Sequence, residues 1–295
     1  MKQMAMDQSI AAGALRGEGA QGADAAALAA RRRYGRDDVA GLVAWNDTLA
    51  TILAHRSVRA YLPDPLPAGT IETLVTAAQS AATSSNLQLW SVIAVEDPAR
   101  KARLSGFAGG QKHIVQAPLL LVWLVDLARI GKIAEERGSA AEGLTYIESF
   151  LVGAVDASIA AQNAVVAAES LGLGCVYIGA MRNHPIEVAR ELGLPPNVMA
   201  LFGLVVGHPD PAAASDVKPR LPQEVVLHRE QYRSGPQQSA AIETYNGHLR
   251  RFQATQGMAP QDWTELALNR VRKAPSLSGR DKLREALTAL GFGLK

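Results

Sequence analysis

Four short apolar runs in the chain have the length and composition of β-strands. Residues 90–95 alternate partly between apolar and polar side chains, whereas residues 119–125 are apolar without interruption. Alternation is typical of a strand with one buried face, and a continuous apolar run is typical of a strand buried on both faces. Residues 175–178 and 201–206 are the other two runs. We therefore predict a sheet in which residues 119–125 form a central strand.

Helical patterns separate and follow these runs. Asn46 is suited to cap a helix, and Gly172 and Gly193 are suited to end one. The Ala-rich segment before Gly172 has small side chains, which let a core or interface helix approach its neighbours closely. The predicted helices cover residues 24–33, 48–53, 70–80, 153–171, 185–192, 242–252, 262–271 and 281–290. Strands interleaved with helices predict an α/β or α+β layered domain.

The composition changes along the chain suggest three regions. Residues 1–44 form an N-terminal extension, and its Ala/Gly-rich first part, to about residue 23, is predicted to be disordered. Residues 45–232 carry the strand and helix pattern of the main domain. Residues 233–295 are polar and helical, and we expect them to pack on the same domain or on a partner protomer.

Composition argues against several classes of function. The 295 residues are 48% hydrophobic and carry a net charge of +2, and only 5% are aromatic. A nucleic-acid-binding protein would need a concentrated basic face or aromatic stacking surfaces. The single cysteine, Cys175, lies in an apolar run and is interpreted as a small buried hydrophobe, which fits a reducing, cytoplasmic location. No apolar stretch reaches about 18 residues, so no membrane span is predicted.

The common sequence motifs of several other enzyme classes are absent or incomplete in this sequence. Residues 172–177 begin like a dinucleotide fingerprint, but Tyr177 occupies the third glycine position, and the glycines precede a strand instead of following one. There is no phosphate loop of the Walker type. No paired histidines or cysteines predict a metal site.

Two basic clusters are the candidate binding elements. Residues 55–59 read His-Arg-Ser-Val-Arg, and residues 218–222 read Lys-Pro-Arg-Leu-Pro. An anionic phosphate is bound well by several cations on stiff backbone, and arginine adds a bidentate fork. The alternative is a pair of solvated surface patches, and for either cluster alone that alternative is favoured. A third run, residues 31–33, is interpreted as a solvated helix end.

Five motifs in register carry a resemblance to a known family. They are residues 51–59 (TILAHRSVR), 83–88 (TSSNLQ), 109–113 (GGQKH), 174–179 (GCVYIG) and 218–222 (KPRLP). Together they closely resemble the oxygen-insensitive NADPH nitroreductases and the related NADPH–flavin oxidoreductases. The similarity extends from about residue 45 to 232 and continues weakly to the C-terminus.

The resemblance implies an α+β fold, a three-layer α/β/α sandwich with a central, mostly antiparallel sheet, in an intertwined homodimer. It implies tightly bound FMN and NADPH or NADH as electron donor. The implied activity is ping-pong reduction of nitroaromatics, quinones or flavins. Two alternatives stay open: a flavin reductase that supplies reduced FMN to a monooxygenase, and a non-redox FMN-binding protein. The flavin carries the hydride, so no side chain is expected to be catalytic.

The resemblance also implies which residues bind the cofactor. The first cluster would hold the phosphate and the pyrimidine edge, the Thr-Ser loop and the Gly-Gly-Gln segment would meet the flavin, the strand end would line its ring, and the second cluster would complete the phosphate clamp. The residues in that order are His55, Arg56, Ser57, Val58 and Arg59; Thr83 and Ser84; Gln111; Tyr177, Ile178, Gly179 and Ala180; Lys218, Pro219 and Arg220.

Two departures from the family pattern bear on the electron donor and the ring site. Relatives often carry Thr-Arg-Gly in the C-terminal segment, where the arginine serves NADPH, whereas this chain has Thr255-Gln256-Gly257. Arg250 and Arg251 precede this position by one or two helical turns. The choice between NADPH and NADH therefore stays open. Ala180 stands where relatives commonly carry a second glycine.

Overall fold

The computed structural model describes residues 19–37, 44–213 and 215–295. The chain divides into two units, each assembled from two stretches of sequence. The first unit comprises residues 1–56 and 215–272, and the second comprises residues 57–214 and 273–295. The sheet belongs to the second unit, and the regular elements described in the first unit are all helices.

The described elements are numbered here in chain order. They are α1 (Gly19–Tyr34), α2 (Asp47–Leu53), α3 (Thr70–Gln79), β1 (Trp90–Val95), α4 (Pro98–Phe107), α5 (Lys112–Gln116), β2 (Leu119–Asp126), α6 (Ala128–Glu136), α7 (Ile147–Ser170), β3 (Gly174–Ile178), α8 (Pro185–Leu192), β4 (Val198–Gly207), α9 (Gln223–Val226), α10 (Pro236–Thr255), α11 (Trp263–Val271) and α12 (Leu283–Ala289). Short 3₁₀ turns lie between several of them, including Ser84–Asn86 and Gly179–Arg182.

The sheet has four strands in the order β1-β2-β4-β3, and every neighbouring pair is antiparallel. All four predicted strands are confirmed, and β2 is central as predicted. The register between β2 and β4 shifts after Trp123, which pairs with Phe202, because Leu124 pairs with Ala200. Leu201 is therefore a bulged extra residue, and its carbonyl accepts a hydrogen bond from the Arg182 guanidinium.

Side chains of β2 alternate between two hydrophobic clusters, one on each face of the sheet. Leu119, Leu121 and Trp123 pack with residues of α3 and α7. Leu120 and Val122 pack with residues of α4, α5 and α8. The helices thus form a layer on each side of the sheet, which confirms the predicted three-layer α+β arrangement. Burial on both faces explains why this strand has no polar position before its last residue.

The longest helix, α7, packs against the sheet through alanines. Ala160, Ala161, Ala164 and Ala168 are completely buried on the face that meets β2 and α3. By length and composition α7 could also cross a membrane, so the prediction that no segment meets this test is wrong. The polar residues within the helix interrupt its apolar run, which is why counting uninterrupted residues missed it. Its buried alanine face is typical of a core helix.

Helix α1 corrects the prediction for the N-terminal extension. The helix begins at Gly19, so the predicted disorder is wrong for residues 19–23, while residues 1–18 lie outside the described part of the chain. Alanine-rich sequence favours helix, and Ala26 and Ala30 are buried at helical spacing. Three helices of the second unit, α4, α5 and α6, were not predicted, although the apolar residues of α6 recur at helical spacing.

Buried amides organise the helices of the first unit. Asn246 on α10 accepts a hydrogen bond from the Thr264 amide (3.2 Å) and donates one to the Thr264 hydroxyl (3.1 Å). Gln253, about two helical turns further along α10, accepts a hydrogen bond from the Gln261 amide (2.7 Å). Both side chains are almost completely buried. The start of α11 is therefore attached to α10 by polar contacts, which a hydrophobic pattern does not reveal.

Two helical glycines provide a matched test of the packing of α7. A Cβ atom at Gly153 would lie 2.7 Å from Val125 Cγ1 and 3.0 Å from the Leu89 carbonyl, whereas one at Gly131 would meet only Leu144 Cδ1 at 3.7 Å. Gly153→Ala should destabilise the protein by about 1–3 kcal/mol through overpacking. Gly131→Ala should stabilise it by about 0.5–1 kcal/mol through helix propensity. Chemical denaturation measures both, and equal effects would contradict the close contact at Gly153.

Candidate functional site

Five of the predicted binding residues belong to the first unit and lie on two segments that one guanidinium joins. The Arg33 side chain donates hydrogen bonds to the carbonyls of His55 (2.8 Å) and Lys218 (3.2 Å). Pro219 is buried, and its carbonyl accepts a hydrogen bond from the Tyr245 hydroxyl (2.9 Å). Arg56, Lys218 and Arg220 are exposed. The structure therefore brings the two basic clusters together through their backbones, and the exposed Arg220 guanidinium donates to the carbonyls of Lys218 (3.1 Å) and Pro219 (3.4 Å).

Asp216 is the carboxylate that accompanies these cations. Burial raises the pKa of its carboxyl, but the Val217 amide and the charges of Arg32 and Arg56 lower that pKa by more, so the net shift is downward. Arg32 also forms an ion pair with it at 2.5 Å. Asp216 is thus ionised at neutral pH and offsets part of the local positive charge. The segment around Arg56, Lys218 and Arg220 keeps an excess of cations.

The remaining predicted residues belong to the second unit, because the boundary falls between Arg56 and Ser57. Ser57 and Val58 run beside β3, where the Val58 amide donates to the Cys175 carbonyl (3.0 Å). A Cβ atom at Gly174 would lie 2.7 Å from Val58 Cγ2. The absence of a side chain at Gly174 therefore permits this close approach.

The Gly-Gly-Gln segment lies near the same stretch. The charge of Arg59 acts on His113, whose pKa is lowered first by burial and then by this arginine. Among the described residues, the buried Nε2 atom of His113 has no hydrogen-bond partner. Gln111 directs its side-chain amide to the Ala108 carbonyl (2.8 Å), and its own carbonyl accepts from Ser105 (3.0 Å). Residues 57–59 therefore connect the start of β3 with the start of α5.

The end of β3 and the turn that follows combine an aromatic ring with buried apolar groups. The Tyr177 ring is partly exposed, stacks edge-on against Phe202 at 5.2 Å and donates a hydrogen bond to Gln162. Burial raises the pKa of the Tyr177 hydroxyl above its usual value, so the group is protonated at neutral pH. Ile178 is buried in the core, and Ala180 packs against it.

Two arginines that the sequence analysis did not select flank Gly179. A Cβ atom at Gly179 would lie 3.5 Å from Nη2 of Arg182 and 3.9 Å from Nη1 of Arg280. Arg280 is oriented by a hydrogen bond from its Nε to Asn183 (2.9 Å). The strand end is therefore bordered by positive charge. Arg280 lies about 100 residues from Gly179 in sequence, and no local motif marks it.

The Thr-Ser loop is attached to α7 by a buried carboxylate. Asp156 accepts hydrogen bonds from the Thr83 hydroxyl (2.6 Å), the Ser84 amide (3.1 Å) and the Leu89 amide (3.3 Å). The Thr83 hydroxyl in turn accepts from the Gln88 amide (3.0 Å). Both ends of the loop are thus tied to one side chain. The sequence did offer a signal, since Asp156 is the single charged residue in the apolar middle of its helix.

Within this loop the backbone is strained. Ser85, Asn86 and Gln88 have φ angles of 50°, 54° and 51°. This left-handed region costs residues other than glycine on the order of 1 kcal/mol each, and asparagine less. Such strain persists only where surrounding contacts over-determine the conformation. Asp156 supplies those contacts, and the loop presents the exposed side chains of Ser85, Asn86 and Leu87 to solvent.

The interpretation of residues 31–33 as a solvated helix end is wrong for Arg33. Arg33 is only 8% exposed, whereas Arg32 is an exposed residue. The spacing from Ala26 and Ala30 places Arg33 on the buried face of α1. The three arginines should therefore be interpreted separately, because their side chains point in different directions around the helix.

The C-terminal positions considered for nicotinamide binding have partners within the first unit. The Gln256 side chain accepts a hydrogen bond from the Asp216 amide (3.2 Å). Arg250 is ion-paired with Asp262, and Arg251 contacts His248 at 2.6 Å. Each side chain thus has a contact that binding of an anion would have to share or replace.

Comparison with known proteins gives two family matches that together cover most of the chain. Residues 52–208 match the model described as Nitroreductase family, and residues 218–295 match the model described as Nitroreductase family, C-terminal domain. Helix α1 lies outside both matched ranges.

Comparison with individual proteins supports the same family. The chain is 39% identical over 244 residues to FMN reductase (NADPH) of Bacillus subtilis, an alignment that covers 81% of this chain and 97% of that protein. It is 40% identical over 210 residues to oxygen-insensitive NADPH nitroreductase of Salmonella typhimurium, covering 71% and 84%. The solved structure of the hypothetical oxidoreductase YcnD from Bacillus subtilis superposes with a TM-score of 0.80 at 36% identity, covering 85% of this chain and 99% of that one.

The Asp156 contacts predict a specific stability loss. Asp156→Ala leaves the Thr83 hydroxyl and two amides without their buried acceptor and should destabilise the protein by about 2–4 kcal/mol, since each unsatisfied buried group costs about 1–3 kcal/mol. Hydrogen exchange at the Ser84 and Leu89 amides should accelerate. Ser158→Ala, on the same helix with an exposed hydroxyl, is the control and should change stability by no more than about 0.5 kcal/mol. Wild-type stability in the Asp156 variant would refute the assignment.

Proposed function

Because this chain belongs to the nitroreductase family, we propose that it is an FMN-dependent NAD(P)H oxidoreductase that reduces nitroaromatics, quinones or flavins by a ping-pong cycle. The named relatives, FMN reductase (NADPH) and oxygen-insensitive NADPH nitroreductase, support both the cofactor and the acceptors. The observation that carries the proposal is the junction at Arg33, which joins the two basic segments of the first unit.

The first unit has a donor set that fits the FMN phosphate. Arg56, Lys218 and Arg220 are exposed cations on backbone that is fixed by Arg33 and by the buried Pro219. A phosphate dianion gains most from several cationic donors whose backbone is already ordered. We assign phosphate binding to these residues, with His55 beside them.

Residues of the second unit fit a polar heterocycle. The missing side chain of Gly179 leaves room beside the strand end, and the charges of Arg182 and Arg280 lie next to it. The buried Nε2 atom of His113 lacks a protein partner among the described residues. We assign contacts with the ribityl chain and flavin ring to Ser57, Val58, Arg59, Thr83, Ser84, Gln111, Tyr177, Ile178, Gly179 and Ala180.

The chemistry that FMN supplies when bound is hydride transfer between a nicotinamide and an acceptor. The protein's part is to hold the cofactor, orient the substrates and set the local charge. A cation beside the flavin favours its anionic reduced form, a role that fits Arg59, Arg182 and Arg280. No nucleophilic side chain is required.

A flavin reductase is the second candidate function. The similarity to FMN reductase (NADPH) of Bacillus subtilis favours it. The two functions share the same binding residues and differ in the preferred acceptor. Comparison of kcat/KM for free FMN with kcat/KM for a quinone and a nitroaromatic distinguishes them.

A homodimer is the assembly that we propose. On α7, Ile147, Leu151, Val155 and Ile159 are exposed at a four-residue spacing, on a face away from the buried alanines. A row of four large apolar side chains in solvent is typical of an interface. The single buried cysteine, Cys175, supports a reducing, cytoplasmic location.

The phosphate assignment predicts that Arg220→Ala weakens FMN binding by at least about tenfold, or 1.4 kcal/mol, because a charge-assisted phosphate contact is lost. Wild-type protein should purify with one FMN per chain, and anaerobic NADPH should bleach its visible absorption. Initial rates with a quinone should give the parallel double-reciprocal lines of a ping-pong cycle.

Arg229→Ala, which removes another exposed cation of the first unit, is the matched control and should retain FMN. Full FMN occupancy in Arg220→Ala would exclude that residue from the phosphate site. Bound FMN that NADPH does not bleach would indicate a non-redox FMN-binding protein and refute the proposed activity.

The dimer proposal predicts an interface above about 2,000 Å², in the range of obligate dimers. Val155→Glu places a charge in the middle of the exposed row on α7 and should shift the protein toward monomer in sedimentation velocity. Ile133→Glu, which changes an exposed apolar residue of α6 in the same unit, is the control. A wild-type protein that sediments as a monomer at micromolar concentration would contradict the proposal.

A further inference from the structure

Helix α1 contributes a buried guanidinium to the segments that carry the basic clusters. One nitrogen of Arg33, Nη2, donates to the carbonyls of Leu53 (2.8 Å) and His55 (2.8 Å), and the other, Nη1, donates to the carbonyl of Lys218 (3.2 Å). Three carbonyl dipoles converge on one side chain. A planar guanidinium with several fixed N–H donors can satisfy all three, whereas a lysine ammonium is a more compact charge on a flexible stem.

The backbone of Arg33 adds a fourth contact. Its carbonyl accepts a hydrogen bond from the Arg220 amide (2.9 Å). One residue of α1 therefore contacts the backbone just before Arg56 and the backbone at both Lys218 and Arg220. These are the three cations to which we assign the phosphate. Arg33 itself is buried and points its donors at carbonyls, so it orders the site without belonging to it.

The rest of α1 is seated by contacts that do not involve Arg33. Ala26 and Ala30 are buried on the same helical face. Beyond the end of the helix, Arg36 forms an ion pair with Glu224 at 2.9 Å. Gly35 has a positive φ of 67°, and a Cβ atom there would lie 3.2 Å from Pro219 Cγ. The helix is therefore positioned by several contacts within the first unit, and Arg33 is the residue whose side chain contacts the backbone of both basic segments.

Helix α1 and Arg33 lie outside the regions that match the family models. The family models match residues 52–208 and 218–295, so the carbonyls of Leu53, His55 and Lys218 lie inside the matched ranges and Arg33 lies outside. An element of this chain's own N-terminal extension thus orders backbone that the family match includes.

We propose that α1 braces the phosphate-binding segments and that Arg33 is a positioning residue for Arg56, Lys218 and Arg220. The inference rests on the proposed function, because it takes the ligand to be the FMN phosphate. Backbone that is ordered before binding loses less conformational entropy when the ligand arrives. The brace therefore acts on the phosphate group of the flavin and makes FMN a retained cofactor. Riboflavin, which lacks the phosphate, gains nothing from it.

The test compares FMN with riboflavin. Both are titrated by fluorescence into the full-length chain after its flavin has been removed, for wild type, Arg33→Met, Arg33→Lys and Arg32→Gln. Arg33→Met should weaken FMN binding by at least about tenfold and leave riboflavin binding within about twofold. Arg33→Lys keeps the charge but not the planar fork, and should lie between Arg33→Met and wild type. The rate of FMN release from the loaded protein should rise in the same order.

Arg32→Gln is the matched control, because it removes an adjacent, exposed cation that pairs with Asp216. Its preference for FMN over riboflavin should equal that of wild type. If Arg33→Met does not fold, Arg33→Lys decides, since thermal melting of the flavin-free protein identifies a folded variant. A wild-type preference in the folded Arg33 variants would overturn the inference. Equal weakening of both ligands would overturn it as well, because it indicates general damage. A wild-type chain that does not prefer FMN would refute the proposed function, and the inference with it.

Discussion

The antiparallel pairing of β2 with β4 is the interaction on which the second unit depends. Both strands are central in the sheet, and the side chains of β2 pack alternately in the two hydrophobic clusters. A shift of one residue in their register would exchange the sets of side chains on the two faces. The bulge at Leu201 lies near the start of β4, and the Arg182 guanidinium donates a hydrogen bond to its carbonyl. The residues around Gly179 therefore depend on the same strand pairing that builds the core.

Hydrophobic pattern alone predicted the sheet well, because its signal is local. Each of the four strands is an apolar run with clear ends, and the alanines of α7 and the stop at Gly193 mark their helices equally well. Three helices were not predicted: α4 is only weakly amphipathic and α5 has five residues, whereas the apolar face of α6 was a local signal that went unused. The hydrophobic pattern also could not predict the strand order or the bulge, since both depend on contacts between residues that are far apart in sequence.

In the candidate site, too, residues in short motifs could be predicted from sequence, whereas residues that act across long sequence separations could not. The two basic clusters and the Thr-Ser loop stand out as short motifs. The side chains that hold them in place, Arg33 and Asp156, carry no motif, and each acts on backbone groups at least 20 residues away. Each of these two buried charges interacts with three or more backbone or hydroxyl groups. Buried ions of this kind are tolerated because their hydrogen bonds replace those they would make with water.

The strained loop beside Asp156 has a consequence for the side chains that the protein presents to solvent. A sequence selected only for folding would place glycine at Ser85 and Gln88, where the backbone is left-handed. Larger side chains at those positions reduce stability, and they are exposed enough to contact whatever approaches from solvent. The contacts of Asp156 therefore hold polar side chains on the solvent side of this loop at a cost in stability.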